Sequence, residues 1–213
     1  MIVIDCEQGS DEWKAARLGK VTASRVSDMT AKTKTGWGAS RANYAAELVA
    51  ERLTGQPVDR FTNAAMDWGS EQEAAARAVY EVLHDARVQL VGCVVHPSID
   101  TALASPDGLV GDDGLIEIKC PNTATHIETL LSETVPEKYV KQMQFQMACT
   151  GRAWCDFVSF DPRMPGDMQM WVKRIARDDA MIADLEKETR VFLADVAATV
   201  DALVSKYRTL QAA

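Results

Sequence analysis

Two short segments carry the residue types of a hydrolytic metal site: residues 105–108, Ser-Pro-Asp-Gly, and residues 116–121, Ile-Glu-Ile-Lys-Cys-Pro. Side chains of a β-strand alternate between its two faces, so Glu117 and Lys119 point to one side while the flanking isoleucines pack on the other. A turn between the segments returns Asp107 to the neighbourhood of Glu117. The sequence therefore predicts two carboxylates and one ammonium group in close proximity.

These groups suit the hydrolysis of a phosphodiester. Asp107 and Glu117, with the main-chain carbonyl of Ile118, are hard oxygen ligands of the kind that Mg²⁺ or Mn²⁺ prefers. Such an ion polarises a phosphoryl oxygen and lowers the pKa of a water, and Lys119 can orient that water or help to deprotonate it. The same spacing also arises by chance, in which case Glu117 and Lys119 form a surface ion pair beside an ordinary turn.

The elements that must position these residues follow from periodicity and turn residues. The pattern predicts two short helices within residues 10–30, a mobile loop over 32–40, and helices over 40–53, 70–83, 137–150 and 178–207. It predicts strands over 88–95, 102–105, 115–119, 154–160 and 168–175, with residues 111–114 as the hairpin turn between the second and the third. Helices around a central mixed sheet indicate a single domain of the α/β or the α+β class, and we take α/β as the prediction.

Two helices carry further polar candidates. Glu73 stands three residues after Ser70, as in a capping box, so its carboxylate could serve the helix start rather than a site. On the helix over 137–150, Tyr139, Gln142 and Gln146 share one face, which is either a polar stripe at a site or an ordinary solvated face.

The distribution of charge qualifies the net value. The 213-residue chain has a formal charge of -8, which argues against a general polyanion binder. Residues 13–41, however, carry a net charge of about +6, so a phosphate partner is again allowed. Arg17 offers a planar fork for a phosphate, and Ser24 adds a hydroxyl near a helix start. Lys34 and its loop neighbours Lys32 and Trp37 could grip a duplex end, although a flexible basic loop or a solvated helix face is the alternative for this stretch.

Several other classes are not indicated. The first residues lack the pattern of a signal peptide, and no apolar run is long enough to span a membrane. The five cysteines are scattered and never spaced C-x-x-C, so we expect reduced thiols in a cytoplasmic protein. We expect the three histidines to be structural, and no P-loop or Ser-His-Asp pattern is visible.

The motifs together resemble one known family. Ser-Pro-Asp-Gly-Leu followed by Ile-Glu-Ile-Lys-Cys-Pro is similar to the core of the PD-(D/E)xK nucleases, and specifically to the phage lambda exonuclease family of viral recombinases. The resemblance extends in the family's order through most of the chain. Its further motifs are Trp13-x3-Arg17-Leu18-Gly19, Thr22-Ala23-Ser24, Trp68-Gly69-x3-Glu73, Tyr139-x2-Gln142-x-Gln144 and Phe160-Asp161-Pro162-Arg163-Met164.

The resemblance implies a role for each matching position. Asp107, Glu117 and the Ile118 carbonyl would hold the metal, with Glu73 assisting from its helix. Lys119 would be the catalytic lysine, and Gln142 an active-site glutamine. Arg17, Ser24 and Ser105 would hold the 5'-terminal phosphate. Trp13, from the first motif, and Lys34, from the basic loop, are further candidates for contact with the DNA.

The resemblance also implies an activity and partners. It implies a restriction-endonuclease-like core and a Mg²⁺-dependent, processive 5'-to-3' double-strand exonuclease, with Mn²⁺ as a second usable ion. Its substrate would be a duplex end with a 5' phosphate, degraded to a 3' single-stranded tail for recombination. A single-strand-annealing protein would be its partner, a homotrimeric ring its assembly, and the cytoplasm of a bacterium that carries the phage or prophage its location.

Within the single domain, residues 1–60 would form a helical part that binds the DNA end, 61–175 the nuclease core, and 176–213 the C-terminal helix. Three alternatives remain: an endonuclease of restriction or junction-resolving type, a recombination module that only binds DNA, and an iron-sulfur nuclease. The last requires a cysteine cluster that the scattered thiols do not provide.

Overall fold

A computed structural model of the chain describes residues 1–58 and 64–208 and shows a mixed α/β fold. In the N-terminal third the elements are β1 (Ile2–Ile4), α1 (Asp11–Arg17), β2 (Val21–Thr22), a 3-10 turn (Ala23–Arg25), α2 (Val26–Met29), β3 (Lys32–Thr33), β4 (Gly36–Trp37) and α3 (Ala39–Thr54). The middle of the chain forms α4 (Ala64–His84), β5 (Val88–Gln89), β6 (Cys93–His96), β7 (Ile99–Ala104), β8 (Gly108–Val110) and β9 (Gly114–Lys119). The last elements are α5 (Thr123–Ser132), α6 (Glu137–Thr150), β10 (Trp154–Phe160), a second 3-10 turn (Gly166–Met168), β11 (Met170–Ala176) and α7 (Asp179–Tyr207).

Within the described residues, β3 and β4 pair only with each other, and the other strands form two mixed sheets, where one had been predicted. One sheet has the order β1-β6-β7-β2 and the other the order β11-β10-β9-β8-β5. In the second sheet β9 lies between parallel β10 and antiparallel β8, with Glu117 opposite Phe157 and Ile116 opposite Gly108. The predicted α/β class is confirmed, and the segment with the chemistry lies in the middle of the five-stranded sheet.

The predicted strand over residues 88–95 was wrong, because it is two strands that belong to different sheets. Gly92 lies between them, where a Cβ atom would stand 2.5 Å from the Ile4 carbonyl oxygen and 2.6 Å from that of Cys6. The absence of a side chain thus lets the N-terminal strand approach closely. β1 itself is a three-residue edge strand and had not been predicted.

The predicted hairpin turn over residues 111–114 exists, but it joins β8 to β9 rather than the strand at 102–105 to β9. The short strand β8 had been missed. Residues predicted as a mobile loop over 32–40 include the small hairpin of β3 and β4, and α5 was also missed. Among the helices, α6 has the predicted bounds and α7 begins one residue later than predicted.

The apolar core has three parts: one lies between the four-stranded sheet and the helices α3, α6 and α7, and the other two cover the two faces of the five-stranded sheet. Ile116 and Ile118 pack with Ala76 and Tyr80 of α4, and Leu115 on the opposite face packs with residues of α6. The alternation predicted for β9 is therefore present. In the described part of the chain, no helix is long and apolar enough to cross a membrane, and all five cysteines are free thiols.

A buried carboxylate anchors the start of α5 to the end of β10. Asp161 accepts hydrogen bonds from the Thr123 hydroxyl at 2.7 Å, from the Arg163 Nε at 2.7 Å and from the Arg163 main-chain N–H at 3.0 Å. Burial would raise the pKa of Asp161, but these bonds from Arg163 and Thr123 outweigh it and lower the pKa to about 2. The ionised form is therefore stabilised by the fold.

We expect Asp161→Asn to lower the free energy of unfolding at pH 7 by about 1–3 kcal/mol, the range for an unsatisfied buried polar group. Because the folded pKa of about 2 lies below the ordinary 3.8, this stabilisation is present above pH 3.8 and is lost as pH falls toward 2. Urea unfolding at several pH values measures it, with exposed Asp167→Asn as the control. A destabilisation that stays constant down to pH 2 would contradict this account.

Candidate active site

The carboxylate of Glu117 is buried and held by three donors. The Gln142 Nε2 donates to Oε1 at 2.6 Å, the Gln146 Nε2 donates to Oε2 at 2.6 Å, and the Lys119 ammonium contacts Oε1. The two glutamines stand four residues apart on α6, so they reach the strand from consecutive turns. Helix α6 thus fixes the orientation of this carboxylate.

Gln146 had been placed on the same helix face as Gln142 but not in the predicted site. Its side chain is fully buried. The sequence did contain a signal for Gln146: it follows Gln142 by four residues, so the two amides lie on the same face of the helix. Gln144, although part of the resemblance, faces elsewhere, because its amide donates to Ala176 and accepts from the main-chain N–H of Asp178.

Asp107 follows β7 and is fixed against β9. Its Oδ2 accepts a hydrogen bond of 2.6 Å from the main-chain N–H of Ile118. The next residue, Gly108, permits this approach, because a Cβ there would lie 2.1 Å from Val88 Cγ1 and 3.2 Å from Ile116 Cγ2. Ile118 packs its side chain into the core, so only its main chain belongs to the site.

Glu73 comes from the middle of α4. This helix begins at Ala64, so the alternative of a capping box formed by Ser70 and Glu73 does not apply, and the predicted start at residue 70 was six residues late. Burial raises the pKa of Glu73, Lys119 lowers it, and Glu117 raises it again, with a net upward direction. The Glu73 carboxylate is therefore within electrostatic reach of both residues.

The carboxylates of the site repel one another. Burial raises the pKa of Asp107 well above its ordinary value, Glu117 raises it further, Lys119 lowers it and Glu73 raises it. Burial alone would lower the pKa of Lys119, but the carboxylates of Glu117 and Asp107 outweigh burial and raise it. The site has an excess of negative charge around one ammonium group.

That charge and donor set fit a divalent cation. Mg²⁺ is commonly held by one or two carboxylates with waters in its remaining positions, and Asp107 and Glu117 supply two. Within the described residues, no three His, Cys, Asp or Glu side chains form a group that could hold a metal between them. The ligand roles of Asp107, Glu117, Glu73 and the Ile118 carbonyl stay a prediction.

A second group of residues surrounds the Ser105 hydroxyl. The Trp13 Nε1 and the Arg17 Nη1 each donate to Ser105 Oγ at 3.0 Å, and the Arg17 guanidinium stacks over the Trp13 ring at 4.0 Å. Ser24 lies in the 3-10 turn, with its Oγ 3.3 Å from that of Thr22. The guanidinium and two hydroxyls are groups that bind phosphate oxygens.

The residues around Glu117 and the residues around Ser105 line one cleft of about 180 Å³. Of the predicted site residues, those that line it are Trp13, Arg17, Ser24, Ser105, Asp107, Glu117, Lys119 and Gln142. Gln8 and Ala23 also line it and had not been predicted. Glu73 and Asp107 line a neighbouring cleft of about 480 Å³, so Asp107 stands at the junction of the two.

Lys34 does not line this cleft. It lies at the exposed turn of the β3–β4 hairpin. The Trp37 ring of that hairpin is covered by the Arg41 guanidinium at 3.9 Å and the Lys32 ammonium at 4.8 Å. The DNA contact predicted for Lys34 would therefore be made outside the cleft that holds the other candidates.

Comparison with known proteins identifies the family. Residues 12–153 match the model of a YqaJ-like viral recombinase domain. The chain belongs to this YqaJ-like viral recombinase family. The sequence prediction of a viral recombinase exonuclease family is thereby confirmed.

Solved structures agree with the YqaJ-like assignment. The alkaline exonuclease LHK-Exo from Laribacter hongkongensis is 55% identical, with a TM-score of 0.88 over 94% of this chain and all of its own. A structure of LHK-Exo in complex with dAMP gives a TM-score of 0.89 at the same identity and coverage.

A phage-related exonuclease from Haemophilus somnus 129PT, 16% identical, has a TM-score of 0.68 over 88% of this chain and 96% of its own. At that identity the likeness supports only the fold of this YqaJ-like chain. Comparison with curated protein sequences gave no match.

Proposed function

We propose that this chain is a Mg²⁺-dependent exonuclease that degrades one strand of duplex DNA from its 5' end. A nuclease role is supported by the viral recombinase family and by the 55%-identical alkaline exonuclease. The observation that carries the proposal is the shared cleft, in which the Ser105 group and the carboxylates face one space. A site for a terminal phosphate thus lies beside a site for hydrolysis.

The spacing of the two groups supports removal of nucleotides from an end. Ser105 and Asp107 are separated by Pro106 alone, so their Cα atoms are at most about 7 Å apart. A 5' phosphate held by Arg17 and Ser105 would place the adjoining phosphodiester at Asp107. The homologous LHK-Exo has been crystallised with dAMP, which belongs to the class of mononucleotides that such a reaction releases.

The chain's own residues would divide the chemistry. A divalent ion held by Asp107 and Glu117, with Mn²⁺ as an alternative to Mg²⁺, would supply charge to the phosphoryl oxygens and acidify the attacking water. Lys119, fixed against Glu117, would orient that water, and Gln142 would keep the Glu117 carboxylate in place. Arg17 would hold the 5' phosphate by charge-assisted hydrogen bonds.

We extend the proposal to the biological context that the family resemblance implies. The product would be a 3' single-stranded tail, passed to a single-strand-annealing protein during phage recombination in the cytoplasm of a bacterial host. A homotrimeric ring would enclose the DNA and keep it from dissociating between cuts. Light scattering tests the ring, and a monomer with undiminished processivity would contradict it.

The activity is tested with linear and circular duplexes in Mg²⁺. We expect release of mononucleotides from linear DNA, faster with a 5' phosphate, and no cut in covalently closed circular DNA. Labels at the 5' and 3' ends report the polarity. Cleavage of the circle would favour an endonuclease, and no Mg²⁺-dependent release from any linear duplex would overturn the proposal.

We expect Arg17→Ala to reduce the preference for 5'-phosphorylated over 5'-hydroxyl ends by about 10- to 100-fold, because a hydrogen bond to a charged group contributes about 1.5–3 kcal/mol. The ratio of kcat/KM values on the two ends measures this. Lys14→Ala is the matched control, since Lys14 lies on the same helix and pairs with Asp11 at the surface. An unchanged ratio in Arg17→Ala would remove Arg17 from phosphate recognition.

A further inference from the structure

Gln8 ties the N-terminal segment to the turn that carries both halves of the cleft. Its Nε2 donates to the main-chain carbonyl of Pro106 at 2.8 Å and to that of Val91 at 2.9 Å. An amide nitrogen has two protons, so both are used on carbonyl groups that are 83 and 98 residues away in sequence. A single side chain thereby connects three separate segments.

The position of the Pro106 carbonyl explains why this bond matters. Pro106 is buried and stands between Ser105 and Asp107. The Ser105 hydroxyl accepts hydrogen bonds from Trp13 and Arg17, and the Asp107 carboxylate accepts one from the main-chain N–H of Ile118. Both neighbours are thus fixed through their side chains, and Gln8 fixes the peptide unit between them. The bonded carbonyl belongs to the Pro106–Asp107 peptide, so a rotation of that peptide would shift the Asp107 carboxylate relative to the Ser105 hydroxyl.

The surroundings of Gln8 place it at the active centre rather than at a remote support. It lines the cleft of about 180 Å³ together with Arg17 and Lys119. It also lines the neighbouring cleft of about 480 Å³ together with Glu73, and Asp107 is shared by both clefts. Gln8 and Asp107 therefore form the boundary between the two spaces.

We infer that Gln8 is a positioning residue that sets the distance between the 5'-phosphate site at Ser105 and the carboxylate of Asp107. This inference rests on the proposed function and deepens it. In that role Gln8 couples two properties that would otherwise be independent: recognition of the terminal phosphate, and the Mg²⁺ requirement that Asp107 supports.

The test replaces the donor while keeping the length of the side chain. In Gln8→Met both hydrogen bonds are lost. We expect kcat to fall by about 10- to 100-fold, the range observed when a residue that orients the ligands of a metal ion is replaced. Two readouts do not depend on turnover. In EDTA, fluorescence anisotropy should show a smaller preference for 5'-phosphorylated over 5'-hydroxyl duplex, and calorimetry with Mn²⁺ should show weaker binding of the ion.

Two controls separate positioning from a general loss of structure. Ser105→Ala removes one side only, so we expect it to lower phosphate preference while Mn²⁺ binding is retained. Gln56→Ala alters an exposed glutamine outside the cleft and should match the wild type in every measurement. Thermal unfolding identifies any variant whose folded fraction is reduced.

The outcomes distinguish this inference from the proposed function. If the wild type releases no nucleotides with Mg²⁺, both fail. If the wild type is active and Gln8→Met retains its kcat, its phosphate preference and its Mn²⁺ affinity, this inference alone fails. A lower thermal midpoint of Gln8→Met with unchanged phosphate preference and unchanged Mn²⁺ affinity would show that Gln8 only stabilises the fold. That result would also overturn this inference.

Discussion

Replacement of Lys119 by alanine should abolish cleavage while leaving DNA binding in place. The Lys119 ammonium contacts the buried Glu117 carboxylate and lies 5.3 Å from the centre of the Tyr139 ring, so its position is defined on two sides. Loss of one positioned donor that acts on the reacting groups costs about 10²- to 10³-fold in kcat, and we expect a loss of at least that size. Binding should persist because Arg17 and Ser105 lie on other elements.

The measurement pairs single-turnover cleavage with anisotropy on a 5'-phosphorylated duplex in EDTA. Lys119→Met is the second variant, because it keeps most of the side-chain volume and removes only the charge. Lys173→Ala, at an exposed position of β11, is the matched control. Near-normal turnover in Lys119→Ala would remove this lysine from the mechanism, and a parallel loss of DNA binding would show that it supports the cleft instead.

The position of Lys119 illustrates what the sequence can predict. Alternation along β9 is a local property, and it correctly separates Glu117 and Lys119 from the two isoleucines that pack toward α4. Helix α6 is equally local, since Pro136 precedes its first residue and Gly151, with a φ of 74°, ends it. Such elements carry their boundaries in their own residues.

Other features depend on distant partners and leave little local signal. β1 is three residues long and is defined by its pairing with β6, which Gly92 allows through close approach. Nothing in the sequence around Gln8 marks this residue, because its amide donates to the carbonyl groups of Val91 and Pro106, which lie far along the chain. The sequence placed Gln146 on the same helix face as Gln142, but its role in holding the Glu117 carboxylate is evident only from the three-dimensional structure.

Replacement of Asp107 by asparagine should separate activity from stability. The folded protein disfavours the Asp107 carboxylate, because burial and the nearby carboxylates of Glu117 and Glu73 raise its pKa well above its ordinary value. Asparagine removes that repulsion, and its side-chain oxygen can still accept from the main-chain N–H of Ile118. We therefore expect the thermal midpoint in metal-free buffer to equal or exceed that of the wild type.

Activity should change in the opposite direction. Stabilisation of transition-state charge by a metal ion amounts to several kcal/mol, so loss of a ligand predicts at least about a 100-fold fall in kcat. Added Mg²⁺ should raise the thermal midpoint of the wild type, because a ligand that binds only the folded state stabilises it. The same addition should leave the midpoint of Asp107→Asn unchanged.

Asp112→Asn is the matched control for this substitution, because Asp112 is an exposed carboxylate in the turn after β8, three residues past Leu109. It should behave as the wild type in both activity and Mg²⁺-dependent stabilisation. An Asp107→Asn protein that is less stable and still gains stability from Mg²⁺ would show that Asp107 supports the fold and not the ion. A more stable, inactive and Mg²⁺-indifferent protein would show that the repulsion among these carboxylates is maintained for the sake of the cation that relieves it.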